Sequence, residues 1–353
     1  MIIQPAPDQW DVFVASQPRA HILQTSRWGE LKSQFEWSAE RIAVMHDQQT
    51  PYPATSGIVA GALVLFRKLP MRLGTLAYIP KGPVLDFDDD ALSTELLHGL
   101  DRLMKRRRAI LLKLEPDRLT ELRFSTRLAA LGFRPSPQTV QPPRTVTIDL
   151  TRDDETILAA MHAKTRYNIR LATKKDVIVR EATLDDLPAF NNLMEITGER
   201  DGFSVHSAEY YVAVFKLFGE TDQARLFVAT FEERVIAGIF VFALADRAWY
   251  FYGASGEAER QRMPNYALQW AAMQWARSRG CTEYDLWGIP DEDEATLEAQ
   301  YLERNNDLWG VYRFKRGFGG KIIRFAGAFD RVYDPVLYQA YKLYLKSRGR
   351  TEG

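Results

Sequence analysis

The chain has 353 residues, of which 46% are hydrophobic and 26% charged. That length sets an expectation of two or three domains, and the composition excludes a disordered or collagen-like polypeptide. Its 46 Lys+Arg balance 46 Asp+Glu, so the chain is not basic throughout and any polyanion site must be a local patch.

Cys281 is the single cysteine, which leaves no intramolecular disulfide and no Cys-rich zinc site; a reducing cytoplasm is the expected compartment. No apolar run reaches the ~18 residues that a membrane span needs. The first ten residues lack the basic-then-apolar pattern of a signal peptide.

In chain order, a short amphipathic helix is expected around Trp28 and Lys32. Residues 59–66 predict a buried strand with an early glycine, and 76–80 a second strand built around Tyr78. A helix over 91–108, ending in the basic run 105–108, leads to a strand over 109–114. The same four elements recur at 236–242, 249–253, 264–279 and 282–287, offset by about 175 residues, which predicts a duplicated α/β (α+β) module. Between the halves, 135–143 holds four prolines in nine residues, the mark of an inter-domain crossing, and 145–150 alternates like a strand opening the second module.

A helix starting near Asp154 places Arg166, Arg170 and Lys174 at i, i+4 and i+8, with Lys164 and Lys175 beside them. Such a face is the expected footprint for an RNA backbone; the run 105–108 is better explained by the dipole of the helix it ends. The acidic stretch 291–307 reads as a long surface loop, and the tail 332–346 as a helix after Pro335 whose aromatics pack back onto the first domain.

The chemistry is defined partly by what is missing. There is no Walker loop, no Gly-x-Gly-x-x-Gly, no Gly-x-Ser-x-Gly and no His pair at metal-ligand spacing, so no metal and no cofactor is expected. Cys281 reads as a small buried hydrophobe.

Strand–strand–helix–strand modules of this kind resemble the GNAT acetyltransferase fold, in which a glycine-rich loop before the helix binds the coenzyme A pyrophosphate. Here that stretch is Glu259-Arg-Gln-Arg-Met-Pro-Asn-Tyr266, without a glycine, which disfavours acyl-CoA. Several segments carry a closer resemblance: Gln24-Thr-Ser-Arg-Trp28-Gly-Glu-Leu-Lys32, Tyr78-Ile-Pro-Lys-Gly-Pro83, Lys164-Thr-Arg-Tyr-Asn-Ile-Arg170, Tyr252-Gly-Ala-Ser255, Pro264-Asn-Tyr-Ala-Leu-Gln-Trp270, Tyr284-Asp-Leu-Trp-Gly288 and, most specific, Tyr312-Arg-Phe-Lys-Arg-Gly-Phe-Gly-Gly320. Together they resemble the Fem family of non-ribosomal peptidyl aminoacyltransferases, which build peptidoglycan cross-bridges, over residues 20–340.

The resemblance implies tandem GNAT-like domains, 1–144 completed by 321–353, and 145–320. It implies transfer of an aminoacyl group (Gly, Ala or Ser) from aminoacyl-tRNA to an amine of a peptidoglycan precursor, either UDP-MurNAc-pentapeptide or lipid II. Some members insert a coiled-coil arm into the second domain; no sustained heptads occur between 180 and 314, so this chain resembles the armless members. An activated ester needs alignment and oxyanion stabilisation rather than a covalent nucleophile.

Lys315 is the expected cation for the oxyanion or the terminal tRNA phosphate, and Phe314 the expected wall of the acceptor channel. By resemblance Lys32, Arg200 and Tyr252 hold the nucleotide–muropeptide, with Arg200 in a loop-like stretch, and Lys164, Arg166, Arg170 and Lys174 meet tRNA. A monomer, with room for peripheral membrane contact, is the expectation. The competing readings are a tandem GNAT enzyme using acyl-CoA and a non-catalytic tRNA or nucleotide-sugar binder.

Overall fold

The computed structural model of the chain describes residues 1–46, 57–304 and 308–347. It divides into two compact units, Met1–Pro143 with the chain from Arg324 onward, and Arg144–Ile323.

The first unit opens with β1 (Ile2–Ile3), α1 (Pro7–Ala15) and α2 (Ser26–Ser33), then β2 (Ser38–Met45), β3 (Ile58–Lys68) and β4 (Thr75–Pro80). It continues through α3 (Asp90–Arg107), β5 (Ala109–Glu115), α4 (Leu122–Ala130) and β6 (Arg134–Pro135). The second unit runs from β7 (Arg144–Asp149) through α5 (Asp154–Ala160), α6 (Ala163–Lys174), β8 (Ile178–Glu181), α7 (Leu187–Asp201) and α8 (Ala208–Gly219). Then come β9 (Ala224–Phe231), β10 (Arg234–Leu244), β11 (Arg247–Ser255), α9 (Pro264–Ser278) and β12 (Glu283–Gly288). After α10 (Glu294–Gln300), α11 (Trp309–Lys315) and β13 (Lys321–Arg324), the chain returns to the first unit with β14 (Phe329–Val332) and α12 (Pro335–Ser347).

Each unit holds one seven-stranded sheet, ordered β1-β2-β3-β4-β5-β14-β6 in the first and β13-β7-β12-β11-β10-β9-β8 in the second. The duplication read from the sequence is present in both. β2-β3-β4 and β9-β10-β11 are antiparallel meanders, and α3 and α9 each carry the chain over to a parallel strand, β5 and β12. The glycine echoed in each half has one cause. A Cβ on Gly61 would fall 2.6 Å from the Trp10 ring, and one on Gly238 would fall 2.8 Å from the Phe190 ring. In both units an aromatic from a flanking helix lies directly on the meander's central strand.

Several segments depart from the sequence reading. The stretch 291–307 is not a loop throughout: Asp293 accepts the Thr296 N–H at 2.9 Å and starts α10, whose Leu297 is wholly buried. That cap satisfies an orphan helical donor, and Glu298 ties the helix down further by accepting the Tyr312 hydroxyl at 2.6 Å and pairing with Arg316. Residues 305–307 lie outside the described residues. The helix expected from Asp154 is two helices, broken where Met161 turns extended. Among the described residues between 180 and 314 the longest helices, α7 and α9, have 15 residues each, so no coiled-coil arm is present.

The proline-rich stretch is tied down: buried Glu115 accepts the backbone N–H groups of Val140 and Gln141 and the Tyr78 hydroxyl. Two residues of the quoted motifs thereby prove to be fold-builders, since Gln24 likewise bridges Pro80 O at 2.6 Å and Leu63 N at 2.9 Å. The tail is helical from Pro335, and its Tyr338, Tyr341 and Leu345 pack on Leu76, Ile110 and Leu111 of the first unit. Among the described residues no helix is long and apolar enough to cross a membrane.

Candidate active site

The two units differ where the parallel strands meet. In the first, β4 and β5 stay paired from Thr75/Ala109 to Pro80/Glu115. In the second, β11 and β12 pair only through Arg247/Glu283, Ala248/Tyr284 and Trp249/Asp285, although both strands continue. Beyond that point they part, and backbone groups that would bond across the ladder become available to something else.

A bulge at Phe251 shapes the β11 side of the opening, because the β10 register jumps from Phe240/Tyr252 to Val241/Tyr250. Simple alternation would put Tyr250 and Tyr252 on one face; the extra residue breaks it. Tyr250 shares a face with Gly253, where an added Cβ would strike its hydroxyl. Tyr252 instead meets α8, with its hydroxyl 3.0 Å from that of Tyr210. Opposite, Trp287 holds a left-handed backbone (φ 63°) and lays its ring 4.4 Å from that of Phe251. A bulky residue at positive φ stores strain that recurs at functional sites.

Lys315, the last residue of α11, puts its ammonium into this opening. Nζ donates to Gly288 O at 2.7 Å and lies 5.6 Å from the Tyr250 ring centre. The side chain is buried, which pushes its pKa down to about 7 against the opposing pull of the Asp285 carboxylate. Asp285 is itself buried and held by the Thr145 hydroxyl and by the Trp287 N–H at 2.7 Å. Burial likewise pushes the Tyr250 hydroxyl up to about 12, so it stays protonated. Phe314, the chain neighbour of Lys315, makes edge contacts with Tyr266 and Phe318 at 5.0 and 5.1 Å.

A buried lysine with a pKa near neutrality is poised to accept an anion and take up a proton in doing so. Tyr250, Asp285, Thr145 and Trp287 carry this geometry and were not assigned roles from sequence. Asp285 and Trp287 do sit in a motif quoted above, but only the parting of two strands shows what they face.

The remaining candidates are placed as follows. Lys32 is half-buried on α2, 5.0 Å over the Trp28 ring, with its pKa lowered to about 8 by burial. It belongs to the first unit, whereas Arg200 and Tyr252 belong to the second. Arg200 is helical rather than in a loop: α7 runs to Asp201 and ends at Gly202. The glycine before it, Gly198, stays helical with Val205 packed closely against it. The Arg200 guanidinium is forked onto Asp201 and donates to Ser255 O at 3.1 Å, and the Asp201 pairing holds its pKa up. Tyr252 sits in a cluster with Tyr210, Tyr211 and the exposed His206, which stacks on Tyr210 at 3.8 Å.

Lys164, Arg170 and Lys174 are exposed on α6. Arg166 is turned inward and caps α5 by donating to Ala159 O at 3.2 Å and to Met161 O. In the basic run 105–108, Arg106 and Arg107 pair with Glu40, and Arg108 is the left-handed cap of α3. Cys281 is buried, its thiol pushed up to about 11. Before α9 the chain makes a short turn over Arg260–Arg262, and Met263 rather than a glycine takes the positive φ. Among the described residues no group of three or more His, Cys, Asp or Glu could hold a metal ion.

Comparison with known proteins agrees with this architecture. A crystal structure of FemX superposes with a TM-score of 0.84 at 24% identity, covering 96% of this chain and 99% of that one. A tandem GNAT protein from the clavulanic acid biosynthesis pathway gives 0.55 at 11% identity, covering 94% and 97%. The lipid II:glycine glycyltransferase of Staphylococcus saprophyticus is 26% identical over 399 aligned positions, which cover 93% of this chain and 92% of that protein. Because the alignment is longer than this chain, the relative carries segments that are missing here. The model of the FemAB family matches residues 6–130, 130–234 and 221–346, and the chain belongs to that family.

Proposed function

We propose that this protein transfers an aminoacyl group from aminoacyl-tRNA to an amine of a peptidoglycan precursor, with Lys315 as the cation at the reacting ester. The single observation that carries the reading is the buried ammonium in the opening between β11 and β12. Relatives named lipid II:glycine glycyltransferase support the reaction class and suggest lipid II as acceptor. The missing coiled coil leaves UDP-MurNAc-pentapeptide as the other candidate.

Attack of a neutral amine on the ester carbonyl builds negative charge on the carbonyl oxygen; collapse of that intermediate forms the amide and breaks the bond to the tRNA ribose, whose oxygen leaves with the proton that the amine gives up. A preorganised donor in a water-poor opening stabilises that charge more than water does. Lys315 donates to the oxyanion, or to the terminal phosphate of the donor, and is drawn to its charged form as the anion develops. Tyr250 walls the opening, Phe314 is proposed as a wall of the acceptor channel, and aligning the two substrates supplies the rest. The chain needs no resident cofactor for this step. Arg200 and Tyr252, both in the second unit, are groups proposed to hold the precursor, and Lys32 is proposed by resemblance alone. Arg200 is available to a diphosphate through its remaining N–H groups, or by exchanging Asp201 for phosphate.

The test is transfer of radiolabelled glycine, alanine or serine from charged tRNA to each acceptor. Label in the UDP-linked or lipid-linked precursor is expected with one donor preferred. Absence of label from both acceptors, with all three donors, would overturn the reading.

A further inference from the structure

Most arginines on this surface are neutralised. Arg106 and Arg107 pair with Glu40, Arg127 with Asp88 and Asp90, Arg180 with Asp186, and Arg316 with Glu298. The exposed bases of α6 are not, as is also true of Arg102 and Lys105 on α3, but those of α6 stand beside an exposed ring. On α6, Lys164, Arg170 and Lys174 are exposed and make no ion pair or hydrogen bond with any described residue. Between them stands Tyr167, 61% exposed. Helical spacing puts Tyr167 three residues from Lys164 on one side and from Arg170 on the other, so ring and charges form one stripe. In a chain with equal numbers of acids and bases, an uncompensated basic stripe centred on an exposed ring is a specific feature.

We infer that the outward stripe of α6 is an RNA-binding surface, on which Lys164, Arg170 and Lys174 meet phosphates and Tyr167 stacks an unpaired base. The inference deepens the proposal that the donor is an aminoacyl-tRNA, and it names a residue type which that proposal lacks. Cations alone track a backbone; an exposed ring between them supplies the π-face that single-stranded nucleic acid requires.

Two further observations support RNA. The stripe is rigidly tied to the segment that carries Lys315: His162 N, at the head of α6, donates to Gly317 O at 2.9 Å. Thr165 packs against that same glycine. A strand lying along α6 would therefore reach a helix anchored two residues beyond the buried lysine. An anionic membrane is the weaker occupant, because a surface-lying helix needs an apolar face to insert. The remaining face of α6, with Thr165, Asn168, Ile169 and Ala172, is buried in the unit. Arg166 is excluded from the stripe, since its guanidinium serves α5.

The experiment measures binding of the full chain to deacylated tRNA by fluorescence anisotropy across a salt series. Beside wild type it uses Tyr167→Ala, Tyr167→Phe and the triple variant Lys164→Ala/Arg170→Ala/Lys174→Ala. Tyr167→Ala should weaken binding about tenfold at every salt concentration with the salt slope unchanged, and Tyr167→Phe should restore it. The triple variant should flatten the slope by about 2 to 3. All four positions are exposed, and a thermal melt confirms that the variants fold.

RNA binding by wild type with both alanine variants unchanged would overturn the stripe and leave the donor proposal standing. No RNA binding by wild type at any salt concentration would overturn the donor proposal itself. In parallel, vesicles of equal parts phosphatidylcholine and phosphatidylglycerol test the other polyanion. Loss of vesicle binding with RNA binding retained would make the stripe a membrane contact and overturn the inference.

Discussion

Replacing Lys315 by alanine should lower the rate of aminoacyl transfer about 10²- to 10³-fold, the range found when a single preorganised donor is taken from a developing oxyanion. The loss should fall on kcat, because the charge that Lys315 meets grows only as the ester carbonyl is attacked. Stability should change little. Burial already disfavours the ammonium, as its lowered pKa shows, and Asp285 keeps its donors from Thr145 and Trp287 when the amine is removed. Lys315→Met, which retains most of the side-chain volume, should lose as much activity as alanine, separating charge from packing. Initial rates with each substrate varied in turn check this. Transfer within a few-fold of wild type in either variant would remove Lys315 from the reaction.

The second large effect lies in the first unit and concerns folding. Lys113 on β5 pairs with Asp330 on β14 at 2.9 Å, both buried. The lysine also donates to Gln138 O at 2.9 Å, and Asp330 accepts the hydroxyls of Ser136 and Tyr338, both at 2.8 Å. Four distant stretches of chain thus converge on one charge pair, including the β14 and α12 segments that return from the end of the sequence. Asp330→Ala strands a buried ammonium and should cost about 3–5 kcal/mol. The double variant Lys113→Met/Asp330→Leu should be far less damaging than the sum of its single changes, because no unpaired charge remains. Urea unfolding of Asp330→Ala, of the double variant and of its two single changes measures both quantities. A single-variant loss below about 1 kcal/mol would show that the pair does not hold the returning tail.

What could be read from the sequence and what could not divide along physical lines. The repeated strands and the α3 and α9 crossovers were legible because each is a local apolar run of the right period, repeated at one offset. Lys315 and Phe314 could be marked as candidates through a dense motif, but the burial of the lysine could not be read there. Helix breaks and starts were less legible. Nothing in the composition around Met161 marks the extended residue that splits α5 from α6, and α10 depends on an aspartate cap, one buried leucine and the distant partners of Glu298, which are Tyr312 and Arg316. Arg200 was misplaced because the glycines at 198 and 202 look alike in sequence, although only the second ends the helix.

The pairing of Lys315 with Tyr250 rather than Tyr252 lay beyond sequence reasoning for a different reason. A bulge is a property of two strands in register, so no single strand reports it. The opening that receives the lysine is likewise a property of two strands that stop pairing, and the first unit, with the same local pattern, stays closed. Tyr167 was within reach, since a tyrosine between basic residues at helical spacing is readable, but its exposure was not.

The most direct measurement is an NMR titration of the ε-carbons of ¹³C-labelled lysines, with Lys315 assigned by comparison with Lys315→Met. In the free protein Lys315 should titrate with a midpoint of about 7. On saturation with an RNA whose terminal aminoacyl group is amide-linked and cannot be transferred, that midpoint should move up, as an anion entering the opening favours the charged lysine. A Lys315 midpoint already in the ordinary lysine range, or one that stays in place when the donor analogue is bound, would contradict the assignment of this opening as the place where the donor's charge is met.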